Sequence, residues 1–251
     1  MDPLHEFYSR LADKYEESFE AAMLSEDSLK SAVKKYASGK VLDAGCGNGR
    51  WKKILYSKHK KRIEYIGVDA NENLVEVAMK NGCDARVADI RKLPFDDCSF
   101  DTVICLFGVL SHMDKESQML AVAEMERVLK EDGIAILSVG NYYSPFSLPW
   151  MLINRNNIEM NGVKTKVYNF KRKEFLELFG NFNFKLVDYS YYDYSFVPIQ
   201  LFRFAGLLAS VDYTGAYRWI CNAMQETSDI GLLGWMGKQM YGVFRKNSSR
   251  N

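Results

Sequence analysis

VLDAGCGNGR, residues Val41 to Arg50, turns a short apolar strand into a glycine-rich loop that opens a helix. Gly45, Gly47 and Gly49 stand at alternate positions, where the missing side chain lets the backbone take positive φ and press against a bound molecule. Asp43 places a carboxylate at the strand end. The spacing departs from the dinucleotide fingerprint G-x-G-x-x-G, which seats a pyrophosphate on the helix N-terminus. Arg50 stands three residues past Gly47, and neither register of the glycines completes that pattern. A nicotinamide or flavin dinucleotide is therefore the weaker expectation. The strand before the loop and the helical pattern after it favour a ligand-holding turn over a purely structural one.

Working outward, Ile63 to Val68 reads as a second strand, and Asp69 follows twenty positions past Gly49. That is the interval at which such folds place a ribose-binding acid, and an ionised carboxylate can accept from two hydroxyls at once. Asp84 to Ala88 reads as a third short strand, followed by Asp89 and Ile90. An acid at a strand end is, taken alone, as readily a helix cap or a solvated turn. The order of the two acids after the glycine loop is what makes them site candidates.

An acid before G-x-G-x-G resembles the first motif of the class I S-adenosylmethionine-dependent methyltransferases, in particular their type 11, UbiE-like group. The resemblance implies S-adenosylmethionine as cofactor, with Asp43, Ala44, Gly45, Cys46, Gly47 and Gly49 forming the cofactor turn. It implies that Asp69 and Ala70 hold the ribose, and that Asp89 takes the adenine amine while Ile90 packs the ring. The stretch CSFDTVICLFGVLSHM, 98–113, resembles the family's fourth-strand region. Leu106 and Phe107 would there line the place where the methyl group meets its acceptor, with His112 just beyond as a candidate for handling a proton. A histidine opening a helix is equally a cap or a packed surface residue. Tyr8 and Tyr15, in FYSRLADKYEESF, resemble the aromatic N-terminal helix that closes the cofactor pocket, Tyr15 being the one that aligns.

Composition bounds these readings. At 251 residues the chain is long for one minimal α/β domain and short for two. A formal net charge of +1 advertises no overall basic field for nucleic acid. Lys52, Lys53, Lys58, Lys60, Lys61 and Arg62 cluster locally, a run more often solvated than functional. The five cysteines have no paired spacing of zinc or redox type, so they read as reduced thiols, and no metal site is expected. The N-terminus lacks a basic start with an apolar core, and no apolar run reaches membrane-spanning length, so a cytoplasmic location is expected.

Strand and helix patterns alternate along the chain, which predicts an α/β, Rossmann-like doubly wound sheet, mostly parallel. Further strands are expected at Thr102 to Leu106 and Ile134 to Val139. Asn71 is expected to cap a helix with Leu74, Val75 and Ala78 inward, and Asp114 another with Met119, Val122, Met125 and Leu129 inward. A strand over Phe184 to Tyr192 and an antiparallel last strand from Gln239 to Arg245 complete the sheet. The expected organisation is an N-terminal helical segment over the cofactor site (1–35) and a core (36–192) with a lid loop (141–170). A helical cap insertion (193–238) and the last strand and tail (239–251) follow. The apolar cap predicts a small, apolar, aromatic or lipid-like acceptor. Two other functions stay open: a transferase for tRNA wobble uridine, since GCGNGR also resembles those enzymes, and a cofactor-binding partner subunit without catalysis. Oligomeric state and acceptor atom are not legible.

Overall fold

The computed structural model describes residues 3–12, 26–57, 63–144, 157–160, 163–192 and 237–248. Its centre is a sheet of eight strands: β1 (Lys40–Ala44), β2 (Glu64–Asp69), β3 (Asp84–Val87), β4 (Phe100–Cys105), β5 (Leu129–Asn141), β8 (Asn169–Phe170), β9 (Phe184–Tyr192) and β10 (Gln239–Lys246). A separate hairpin joins β6 (Asn157–Met160) to β7 (Val163–Lys166). The helices are α1 (Pro3–Leu11), α2 (Asp27–Tyr36), α3 (Arg50–Tyr56), α4 (Glu72–Lys80), α5 (Lys115–Val128) and α6 (Arg172–Gly180).

Strand order is β3-β2-β1-β4-β5-β10-β9, with β8 paired to the end of β5. β1 to β5 run parallel, while β10 is antiparallel to both β5 and β9. From β1 the chain winds outward to β2 and β3, then crosses to β4 on the other side. The carboxyl ends of β1 and β4 therefore form a topological switch point, the place where open α/β sheets bind ligands. The sheet is buried on both faces. Leu42 and Ala44 of β1 enter one core cluster and Val41 enters the other, as the two-residue period of a strand requires.

The helices form where caps and apolar stripes agree. Asn71 Oδ1 accepts from Leu74 N at 3.2 Å to start α4, which buries Leu74, Val75 and Ala78 and stops at left-handed Gly82. Asp114 Oδ1 accepts from Ser117 N at 2.8 Å to start α5. The inward stripe of α5 differs from expectation at Met119, which is exposed, and Gln118 lies inside instead. A polar residue is tolerated there because Gln118 Nε2 donates to the carbonyls of Leu110 (3.2 Å) and Met113 (2.9 Å). On the antiparallel side Phe175 and Phe179 of α6 pack on Phe244 of β10, the last two rings stacked at 3.9 Å.

The stretch 141–170, read from sequence as a loop, carries β6, β7 and β8. Its apolar, proline-containing composition hid three strands too short to show an alternating period. Gln239 to Lys246 forms the expected antiparallel strand. The proposed helical cap falls at 193–236 outside the described residues, as do Tyr15 and four members of the basic cluster, Lys58, Lys60, Lys61 and Arg62.

Candidate functional site

The start of the loop after β1 is tied to β2 through backbone: the amides of Gly45 and Cys46 both donate to Val68 O, at 2.8 and 2.9 Å. Gly45 has φ +90°, and a Cβ there would lie 2.5 Å from Val109 Cγ2, so only glycine fits. Gly49, φ +79°, precedes α3 and would drive a Cβ into the Cys83 sulfur. Cys46 is buried with its Sγ side against Gly67, and burial pushes its thiol well above the usual range. It is packing, not a nucleophile.

Beside this loop opens a cleft of about 180 Å³ that is open to solvent. Its wall is assembled from successive strand ends: Gly45 and Gly47 after β1, Asp69 and Ala70 at β2, Asp89 and Ile90 past β3, Leu106 and Phe107 after β4. His112 lies on the same wall, and α1 supplies Leu4, His5 and Tyr8 from above. Asp43, Ala44, Cys46 and Gly49, also expected in the cofactor turn, are not among the residues that line the cleft.

Each carboxylate has a distinct environment. Asp43 is fully buried; its Oδ2 accepts from Tyr65 OH at 2.6 Å, and its Oδ1 has no partner among the described residues. Burial pushes this carboxyl up to about 7, against the lowering effect of the tyrosine bond. Asp69 accepts from the amides of Gly47 and Asn71, both at 2.9 Å, which fixes its head at the cleft wall. Burial also raises it, opposed by those amides. Asp89 is gripped by Arg91, whose Nε reaches Oδ1 and Oδ2 at 3.0 and 2.9 Å and whose Nη2 reaches Oδ2 at 2.6 Å. That guanidinium holds Asp89 below the ordinary carboxylate range. An adenine amine approaching Asp89 would share it with Arg91.

Phe107 is one of three described non-glycine residues at positive φ, +65°, and Gly108 follows at +77°. Its amide donates to Ser138 Oγ at 2.7 Å, and the Arg50 guanidinium lies 5.2 Å from its ring centre. Arg50 is itself paired with fully buried Glu26, Nη1 to Oε2 at 3.0 Å and Nη2 to Oε1. Neither Arg50 nor Glu26 was read as a site residue, because the pair joins residues 24 apart with no motif between them.

Two further groups carry more than their sequence signal. Asn71, read only as a cap, also donates both amide protons to α1, to His5 O and to Ser9 Oγ, each at 3.0 Å. Tyr8 OH lies 2.9 Å from His112 Nε2, across 104 residues of sequence. Among the described residues no group of histidine, cysteine and carboxylate side chains could hold a metal, and no helix is long and apolar enough to cross a membrane.

A glycine turn and two acids on consecutive parallel strand ends at a switch point define a nucleoside-cofactor-binding α/β protein. Residues 41–133 match the methyltransferase domain family. The uncharacterized protein MJ1252 of Methanocaldococcus jannaschii is 32% identical over 172 residues, 68% of this chain and 62% of that protein. The probable tRNA methyltransferase 9B of Mus musculus is 38% identical over 100 residues, 39% of this chain and 21% of that protein. The ubiquinone/menaquinone biosynthesis C-methyltransferase UbiE of Citrifermentans bemidjiense is 32% identical over 117 residues, 42% and 48% of the two chains. The chain thus spans less than two thirds of the length of the curated relatives it matches. A Haloferax volcanii putative methyltransferase, solved in complex with the Trm112 methyltransferase activator, shares the fold: TM-score 0.66 at 18% identity, covering 96% of this chain and 98% of that one. Over residues 41–133 the chain is similar to methyltransferase domains, and its fold is that of solved S-adenosylmethionine-dependent methyltransferases.

Proposed function

We propose that this protein transfers the methyl group of S-adenosylmethionine to a small, apolar or aromatic acceptor. The observation that carries the reading is the cleft itself, where Gly45, Gly47, Asp69, Asp89, Ile90, Leu106 and Phe107 meet from four strand ends. Asp69, already oriented by two amides, would accept from the ribose hydroxyls. Gly45 and Gly47 would let the backbone approach the methionyl part, and buried Asp43 behind them would offset its positive charge. Ile90, which is buried, would pack the adenine, and Leu106 and Phe107 would line the place where the methyl group meets its acceptor. The bound cofactor supplies an activated methyl on a sulfonium; the chain's task is to exclude water and align the acceptor behind that methyl, and alignment is worth roughly 7–11 kcal/mol. A cytoplasmic location belongs to the same proposal, supported by the free cysteines among the described residues.

Calorimetry tests the cofactor site. Asp69→Ala should weaken S-adenosylmethionine binding by one or two charge-assisted hydrogen bonds, each about 1.5–3 kcal/mol. Unchanged affinity in a folded variant would remove Asp69 from the site.

A second reading, transfer to tRNA with an activator subunit, draws support from the mouse tRNA methyltransferase 9B relative and from the fold shared with the Trm112-bound haloarchaeal protein. Steep loss of activity with added salt would favour it. A third, a cofactor-binding partner subunit without catalysis, predicts tight cofactor binding with no transfer.

A further inference from the structure

His112 ends the 3-10 turn Val109–His112, which starts at the left-handed pair Phe107 and Gly108. The turn is braced from behind, where Ser111 Oγ accepts from Gly140 N at 3.2 Å and Ser111 O accepts from Tyr168 N at 2.5 Å. Tyr8 comes from the opposite side of the cleft, on α1. The two Asn71 bonds hold α1 at His5 and Ser9, flanking Tyr8, and the Phe7 ring abuts Tyr8 edge-on at 5.1 Å. Two independently fixed elements thus bring a phenol and an imidazole together at 2.9 Å on the wall of the cleft. Leu106, Val109 and Met113 are among the apolar residues that line the same cleft.

We propose, on the basis of the methyltransferase reading above, that Tyr8 and His112 form a proton relay serving an acceptor that arrives as a neutral phenolic or enolic hydroxyl. As the acceptor oxygen attacks the sulfonium methyl, an O–C bond forms and the C–S bond breaks, its electron pair staying on sulfur. The hydroxyl proton passes to Tyr8 Oη while the Tyr8 proton passes to His112 Nε2. The products are a methyl ether, the thioether cofactor and an imidazolium. One positive charge has moved from sulfur to the imidazole, so none is created in the apolar cleft, where an uncompensated charge is costly. A neutral imidazole with its proton on Nδ1 can accept at Nε2. Among the described residues the other titratable groups on the cleft wall are His5, Asp69 and Asp89; Arg91 lies beyond Asp89, and Asp114 caps α5 next to the turn.

A simple latch holding α1 shut would make the same hydrogen bond, and the experiment separates the two. The parent, Tyr8→Phe, His112→Gln and the double variant are each incubated with methyl-labelled S-adenosylmethionine and a source-cell extract. Their affinities for S-adenosylhomocysteine are measured alongside. The relay predicts transfer about 100-fold lower or worse in each single variant. It also predicts a double variant no slower than the slower single, and product-cofactor affinities within about twofold of the parent. At saturating S-adenosylmethionine the rise of the parent rate with pH should be reduced in His112→Gln. The chain has three histidines, so nitrogen-15 spectra resolve them, and the His112 Nε2 signal should move in Tyr8→Phe. No transfer by the parent overturns the methyltransferase reading and the relay with it. An active parent with undiminished variants, or variants whose lost cofactor affinity matches their lost transfer, overturns the relay alone.

Discussion

Asp43 is a carboxylic acid held far from its ordinary behaviour. Its carboxyl is held up to about 7 in the folded chain against 3.8 for the free side chain, burial being the main cause. A raised acid binds its proton more tightly when folded, so stability is fully present below about pH 4 and declines as pH rises toward 7, then levels off. The slope inside that window is about 1.4 kcal/mol per pH unit for one group. Asp43→Asn should therefore flatten the stability curve between pH 4 and 7 and unfold at higher denaturant than the parent at pH 8. At pH 8 the same variant should bind S-adenosylmethionine more weakly, having lost the charge opposite the cofactor. Denaturant titrations at several pH values check the first statement. A variant less stable than the parent at pH 8 would show that Asp43 is satisfied by a contact other than Tyr65.

At the scale of elements, the joint between α1 and α4 decides whether the cleft is roofed. One side chain serves both: Asn71 Oδ1 caps α4 and its Nδ2 anchors α1. Asn71→Asp keeps an equally good cap but loses both donations, while Asn71→Ala loses cap and anchor together. The aspartate variant should keep parental stability to within about 1 kcal/mol. Yet it should show faster amide exchange across α1 and weaker cofactor binding, and the alanine variant should add a further loss of about 1 kcal/mol. Exchange in α1 that is unchanged in Asn71→Asp would mean that other contacts hold the roof. The cap was legible in sequence because the signal is local: Asn71 stands at the start of a 3.6-residue apolar stripe. The anchor was not, because its partners lie 62 and 66 residues away. Tyr8, His112 and Phe107 stand out in the sequence as site candidates, but the pairing of Tyr8 with His112 was hidden by 104 residues of separation, and the left-handed backbone of Phe107 because nothing in its residue type announces it. Met119 shows the opposite limit: apolar identity placed it inward, and the hydrogen bonds of Gln118 decided the helix face instead.

For the whole molecule, the parallel core was readable because continuous apolar strands alternate with capped helices, and the glycine loop fixed which strand comes first. The short strands of the 141–170 segment carried no such period. What the sheet does is bring four strand ends and α1 around one cleft, and the account stands on that convergence. Net charge of +1 gives no global attraction to a polyanion, so transfer to a small acceptor should change little between 50 and 200 mM salt. Neutralising six to ten phosphates on an RNA would instead cost about 10³–10⁵ in affinity over that range. The most direct measurement is transfer of labelled methyl from S-adenosylmethionine into a source-cell extract, separated into small-molecule, lipid, RNA and protein fractions. The account predicts label in the small-molecule or lipid fraction, at a rate indifferent to salt and abolished in Asp69→Ala. Label confined to RNA and lost on adding salt, or no label in any fraction despite tight cofactor binding, would contradict it.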